Sequence, residues 1–305
     1  MEILFYLLAA VTAAFNSLGA LGKKYSNART RREKFLNIAA FSLLVAAVMW
    51  AVFAFSGERV NVTVFIYSAV FAVDFVICNF ALYAAMECGS LSKTNLFNAL
   101  SLVIPTLAGI IIWKDPFNVW LICGAFILMV VSFLLILLKK EDKEDGAKNS
   151  RVKWLIFNVI AFFTNGLASV IQKGGQVALN GEGVFSMTAL SFTLTAVISL
   201  GVYAAYLVIE RRRNAETAPS AKQDFTALWH NKKSVLFNAA GVGIVNLAVT
   251  FLSTRIPSAF LYPCVLGGSI IITAVFSAVF FKEKLNAKTI AGILCGTAAI
   301  VLFSL

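Results

Sequence analysis

Charge is scarce in this chain, and it avoids most of the length. Only 13% of the residues are charged while 60% are hydrophobic, and the mean hydropathy is +0.85. A water-soluble domain carries about 25% charged residues, so the composition is that of a protein in contact with lipid. Histidine occurs once, as His230 in a polar stretch. That excludes a metal-dependent intramembrane protease, which needs H-E-x-x-H, and a serine type that needs a Ser–His pair. An aspartyl type needs two acids at membrane depth, and only Asp74 qualifies. No G-x-x-x-x-G-K-[ST] run occurs, so ATP is not the energy source. The five cysteines (Cys78, Cys88, Cys123, Cys264, Cys295) form no C-x-x-C or Cys/His ligand spacing. Neither a zinc site nor a disulfide framework is indicated.

What fills the chain instead is hydrophobic runs. A spanning helix needs roughly 20 apolar residues, and ten such stretches lie at 3–22, 35–56, 63–86, 91–113, 117–138, 154–173, 184–209, 234–253, 257–281 and 286–305. The first has only Glu2 ahead of it and no basic residue, so it reads as a retained helix rather than a cleaved signal. The expected fold is an all-α integral membrane protein, with a first five-helix repeat at 1–138, a cytoplasmic linker at 139–153 and a second repeat at 154–305. A unit with an odd number of spans, repeated once, must lie inverted the second time. Two inverted halves meeting at the bilayer midplane are the architecture of a secondary transporter.

The net charge of +11 is explained by topology. Of the 26 Lys and Arg, 22 fall in every second connection, and only Arg59, Lys114, Lys173 and Arg255 fall on the opposite side. Positive residues mark the cytoplasmic side, which places both termini outside the cytoplasm of a multi-pass cell-membrane protein. A nucleic-acid surface would have no reason to alternate with the spans, so no nucleic-acid partner is expected. The stretch 210–233, with Arg211-Arg212-Arg213, Pro219 and His230, reads as a topogenic loop. Gly174-Gly175 and Gly181-Glu182-Gly183 read as turns of an external loop.

The repeat is visible residue by residue. A shift of 168 carries Trp113-Lys114-Asp115 onto Phe281-Lys282-Glu283, and Ser90, Ser101, Asn118, Ile122 and Gly124 onto identical residues at 258, 269, 286, 290 and 292. A shift of 149 carries Asn16, Leu18 and Lys24 onto Asn165, Leu167 and Lys173, and a shift of 167 carries Asn79 and Ala81 onto Asn246 and Ala248. Recurrent Asn carries the most weight, because an amide in hydrocarbon is costly without a partner.

The stretch Ala85-Met86-Glu87-Cys88-Gly89-Ser90-Leu91-Ser92, followed by an apolar helix, the Lys114-Asp115 turn and a helix containing Gly124, resembles the EamA-like branch of the drug/metabolite transporter superfamily. The pattern returns at Ser258, Lys282-Glu283 and Gly292. The resemblance implies ten helices around a central cavity lined by spans 1–4 and 6–9, with spans 5 and 10 peripheral. It implies transport of substrates that range from amino acids and amphipathic drugs to sugars and phosphorylated metabolites. Many EamA-like members place both termini in the cytoplasm, whereas the charge distribution here places them outside.

The polar residues within the spans are the candidate substrate-binding set. Asp74 is the only carboxylate near the middle of any span, and an isolated ionised Asp there costs about 2.5 kcal/mol or more. It reads as a site for a coupling proton, a counter-charge for a cationic substrate, part of a gate, or a structural hydrogen-bonding group. Asn79 lies on a different face of the same span and recurs as Asn246, as substrate contact or symmetric packing bond. Thr94, Asn98, Ser101 and Pro105 share one face of the fourth span. The matching face of the ninth holds Tyr262, Leu266, Ser269 and Thr273. Such stripes read as cavity walls or as close helix packing. Pro105 frees a carbonyl one turn earlier, near Ser101. Asn16 and Asn165 are expected to face each other across the pseudo-two-fold axis. Thr188, Ser191, Thr195 and Ser199 form a further stripe, and Lys93 either meets an anionic group or snorkels to headgroups. Gly292 and Gly296 have the G-x-x-x-G spacing of a helix contact, a candidate homodimer interface.

The expectation is a secondary active transporter moving a small polar or amphipathic metabolite by alternating access, without a metal or cofactor. The rival classes are an intramembrane enzyme and a non-transporting accessory subunit.

Overall fold

The computed structural model describes residues 2–26, 28, 30–115, 119, 123, 127, 130–131, 147–213, 220–282 and 287–304. Every regular element among the described residues is helical. Eight helices are long and apolar enough to cross a membrane: Leu4–Tyr25, Arg31–Ser56, Val62–Cys88, Leu91–Ile112, Arg151–Ala178, Val184–Arg212, Lys232–Leu252 and Phe260–Phe281. The tenth expected span is a helix, Ala287–Ser304. Most of the fifth, the segment 139–146, the repeat positions Asn118, Ile122, Gly124, Glu283 and Asn286, and the surroundings of Gly296 lie outside the described residues, as does Pro219.

The helix ends follow local chemistry. Helix α1 covers Glu2–Tyr25, and α2 covers Arg31–Ser56. Thr30 and Glu33 form a capping box at the start of α2, and Gly57 closes it in the left-handed region at φ 70°. Helix α3, Val62–Cys88, begins at Asn61, whose side-chain oxygen accepts from the Val64 N–H at 2.8 Å. Helix α4, Leu91–Ala99, passes through a 3₁₀ turn at Leu100–Leu102 into α5, Val103–Ile112. Pro105 has no N–H to give the Ser101 carbonyl, and the helix tightens at that turn.

The second half runs through α6 (Ala147–Ala178), α7 (Val184–Arg213), α8 (Ala221–His230) and α9 (Lys232–Leu252). It continues through α10 (Ser258–Tyr262), a π turn at Pro263–Gly267, α11 (Gly268–Phe281) and α12 (Ala287–Ser304). Both halves therefore interrupt the helix that carries the polar stripe. Both also end it on a non-glycine residue in the left-handed region, Lys114 at φ 56° and Lys282 at φ 52°.

Three expectations are corrected. Lys23 and Lys24 belong to the last turn of α1, not to a loop. Residues 147–153 and Gly174-Gly175 are helical, because α6 starts before and ends after the apolar run. A Cβ on Gly175 would meet Met187 of α7 at 2.8 Å, so this glycine serves packing, not a turn. Finally, 210–233 is not a plain loop: α7 reaches Arg213, and α8 starts from a Ser220–Gln223 capping box. Buried Arg32 on α2 reaches Asp224 of α8 at 2.9 Å and pairs with Glu210 of α7, while Tyr203 donates to Asp224 at 2.9 Å. That charged network docks α8 onto the bundle.

Packing runs mostly between halves. Helix α1 lies against α9 and α11, α6 against α3, α4 and α5, and α2 against α7. Phe41, Phe71, Phe75 and Phe192 interlock where α2, α3 and α7 meet. The outward faces carry exposed Leu7, Val48, Ile66, Val73, Ile111, Phe163, Val197 and Val279. Apolar surface of that extent belongs against lipid rather than water.

Candidate functional site

At mid-depth, α1, α3, α4, α6 and α9 and the α10–π-turn segment enclose a cavity of about 90 Å³. Its polar lining comprises Asn16, Lys23, Asn79, Asn98, Asn165, Ser169, Gln172, Asn246 and Tyr262. A wider depression of about 780 Å³ lies at the end of the bundle between Ser56–Val64 and Ala178–Gly183. It is a space among loops. Its Glu58 is occupied in accepting the first N–H groups of α7, from Phe185 at 3.2 Å and Ser186 at 2.8 Å.

Two pairs of amides build the cavity walls. The Asn16 amide donates to Ser269 Oγ at 3.1 Å, and the Asn165 amide donates to Ser101 Oγ at 2.7 Å. Asn79 donates to the Phe75 carbonyl one turn back at 2.9 Å, and Asn246 does the same to the Val242 carbonyl at 2.8 Å. Those donations fix which amide atom each Asn holds away from its own helix, namely the oxygen. The Asn246 oxygen accepts from Gln172 at 3.0 Å. The Asn79 and Asn98 oxygens are buried with no hydrogen-bond partner. A buried acceptor left unmade costs about 1–3 kcal/mol, and these are the two buried cavity-lining oxygens among the described residues that lack a partner.

Buried lysines stand at both ends of the cavity. Towards the loop carrying Lys114, buried Lys173 pairs with Asp115 at 2.9 Å, donates to Ser258 Oγ at 2.6 Å and stands over the Trp113 ring at 4.7 Å. Tyr262 adds a bond to the Ser169 carbonyl at 3.0 Å. At the basic end Lys24 donates to the Met86 and Gly89 carbonyls at 2.8 and 3.0 Å. Lys23, 7% exposed, donates to the Asn238 oxygen at 3.2 Å, and Asn238 donates to Tyr83 Oη at 2.8 Å. Beyond this partition is a second pocket of about 210 Å³, lined by Lys23, Lys24, Ser26, Ala28, Tyr83, Met86 and Glu87. Lys23 borders both spaces.

The candidates from the sequence divide accordingly. Asn16, Asn79, Asn98, Asn165, Asn246 and Tyr262 line the cavity. Ser101 and Ser269 stand behind it as acceptors for Asn165 and Asn16, so the two asparagines face their serines rather than each other. Thr94 accepts from the Trp154 indole at 2.9 Å and Thr273 from Asn95 at 3.0 Å, both in helix packing. Asp74 is buried on α3 but does not line the cavity, and its Oδ2 has no hydrogen-bond partner. The hydroxyls of Thr188 and Thr195 bond carbonyls of their own helix at 2.7 and 2.8 Å. Lys93 is not part of the lining. Lys23 and Gln172 were missed, because both lie near the ends of the apolar runs. Their signal was available: the shift of 149 that relates Asn16 to Asn165 also relates Lys23 to Gln172.

No family model matches the chain. A curated relative, the multidrug resistance protein EbrA of Bacillus licheniformis, is 29% identical over 114 residues, which is 37% of this chain and 93% of that protein. A solved crystal structure shares the fold at a TM-score of 0.64 and 12% identity, covering 98% of this chain and 94% of the other.

Proposed function

We propose that this protein is a secondary active transporter that moves a small polar or amphipathic solute across the cell membrane by alternating access, and that it belongs with the drug/metabolite transporters. The observation that carries the reading is the cavity at mid-depth, with an amide-rich wall and two unpaired oxygens, bordered by the Lys173–Asp115 pair at one end and by Lys23 at the other. A solute entering such a space would satisfy Asn79 and Asn98. Exchange of closure between the Lys173–Asp115 end and the Lys23–Asn238 end would then expose it to one side at a time.

The inverted repeat is part of the same proposal. Helices α1 and α6, α3 and α9, and the α4–α5 and α10–α11 segments exchange roles in the packing, while α2 and α7 face each other. The EbrA match spans nearly all of a protein about two-fifths of this length, the relation expected if this chain holds two copies of a smaller membrane unit. The drug-resistance name of that relative supports export of amphipathic compounds as one activity to test.

The test is counterflow in proteoliposomes. Vesicles preloaded with a panel of small polar metabolites and amphipathic cations should take up the labelled form of at least one of them, and trapping the cavity with a bulky Asn165→Trp substitution should abolish uptake. Failure of every member to exchange in a protein that inserts and folds would reject transport.

A further inference from the structure

We infer that Lys23 is the anion-recognising residue of the central cavity, and that the solute is a small carboxylate carrying a hydroxyl donor. The inference rests on reading the cavity as a solute site and specifies what that solute must be.

The two halves differ at one position where they otherwise agree. Asn79 and Asn246 are related by the shift of 167, and each donates to the carbonyl one turn back on its own helix. Lys23 and Gln172 are related by the shift of 149. In the second half Gln172 completes the set, donating to the Asn246 oxygen at 3.0 Å and to Thr250 at 3.1 Å. In the first half Lys23 replaces the glutamine and turns instead to the Asn238 oxygen at 3.2 Å, which leaves the Asn79 oxygen bare. A neutral amide would have been enough to close this corner, as Gln172 shows.

A lysine does something an amide cannot: it brings a positive charge. Its direct contacts are neutral, with the Asn238 oxygen as acceptor and the Phe41 ring centroid 5.9 Å away, while Glu87 across the basic-end pocket is already paired with Lys34. Among the described residues no carboxylate forms an ion pair with it, although every other pair involving a buried cation is made, Arg32 with Asp224, Lys34 with Glu87 and Lys173 with Asp115. An ammonium has three donors and uses one here. A buried charge requires an opposite charge or water, and Lys23 borders both the cavity and the pocket that opens at the basic end. An entering carboxylate would meet Lys23 there. The unpaired oxygens of Asn79 and Asn98 would accept from a hydroxyl on the same molecule. The cavity is narrow in this closed form, which suits a small solute.

Lactate, propionate and lactamide are matched probes of size, hydroxyl and charge. Purified protein in detergent and chloride-free buffer is titrated with each, and the ligand-dependent rise in melting temperature gives an apparent affinity. Lactate should bind most tightly, propionate more weakly for want of the hydroxyl, and lactamide least. Lys23→Gln reproduces the residue of the second half and should weaken lactate by at least about tenfold, as expected for loss of a charge-assisted bond, without changing lactamide. Lys23→Arg should keep the preference for lactate.

Equal stabilisation of the wild type by lactate and lactamide would overturn the inference with no variant needed, as would a Lys23→Gln protein that binds lactate unchanged. Propionate binding as tightly as lactate would remove the hydroxyl from the assignment. Each of these outcomes leaves transport standing, because counterflow is measured separately.

Discussion

Asn165 reaches Ser101 across 2.7 Å, and Asn16 reaches Ser269 across 3.1 Å. The donors are 149 positions apart and the acceptors 168, so one bond is the other with both partners replaced by their counterparts. The first ties the middle of α6 to the 3₁₀ turn after α4, and the second ties α1 to α11. An unpaired amide is costly at the hydrocarbon depth of a membrane, and each bond gives its amide a partner there.

The two bonds should therefore have similar worth. Double-mutant cycles of Asn165→Ala with Ser101→Ala, and of Asn16→Ala with Ser269→Ala, should each give a coupling of about 0.6 kcal/mol, the usual size between membrane helices. Reversible unfolding in mixed micelles measures this. A coupling in one pair and none in the other would mean that the symmetry is geometric only.

The Lys173–Asp115 pair gives a sharper expectation. Both side chains are largely buried, at 7% and 15% exposure. Removing one partner leaves the other charged and unpaired, a loss of about 3–5 kcal/mol. Lys173→Met and Asp115→Leu should each lower the melting temperature strongly, and the double substitution should be milder than either alone. A double variant at least as unstable as the sum of the singles would show that the charge is needed for something other than its partner.

Much of this was legible before the structure. The all-helical build with apolar, membrane-length helices follows from the hydrophobic runs, and six of the eleven candidate residues line the cavity. What was not legible has physical reasons. Hydropathy marks where a helix is apolar, not where it ends, so Lys23 and Gly175 were placed in loops though they sit in helices. Thr94 and Thr273 lie on the polar stripes, but a helix face says nothing about which neighbour covers it, and Trp154 and Asn95 do. Helix α8 is short and polar, and Arg32 and Tyr203 on other helices give it a place to dock.

Helices α1 and α9 cross with their backbones in contact. A Cβ on Gly22 would lie 2.6 Å from the Asn238 backbone nitrogen, whereas one on Gly19 would lie 3.4 Å from Val242. Gly22→Ala should cost about 1–3 kcal/mol through overpacking, and Gly19→Ala much less. Equal melting temperatures for the two variants would mean that the crossing yields without strain.

Orientation is testable apart from the fold. The basic connections hold one face inside, so a reporter fused after Leu305 should be active only outside the cytoplasm, and one inserted at Lys143 only inside. The opposite pattern would invert the assignment of the two ends of the cavity while leaving its lining unchanged.

Asp74 is the acid whose role most affects mechanism. It lies midway along α3, is 7% exposed, and holds Oδ2 without a hydrogen-bond partner. It makes no ion pair among the described residues, unlike buried Asp115 and Asp224. It does not line the cavity, but Cys78, one turn further on, does. That placement favours a coupling group over a direct counter-charge for substrate. Asp74→Asn keeps the size and hydrogen-bonding shape while removing the ability to exchange a proton. In proteoliposomes the variant should lose accumulation driven by an imposed pH gradient and keep solute exchange at equal pH. If exchange itself weakens, and more for cationic solutes than for neutral ones, Asp74 meets the solute after all. If uptake and its pH dependence are both unchanged, the carboxyl is a packing group and the driving proton, where there is one, binds elsewhere.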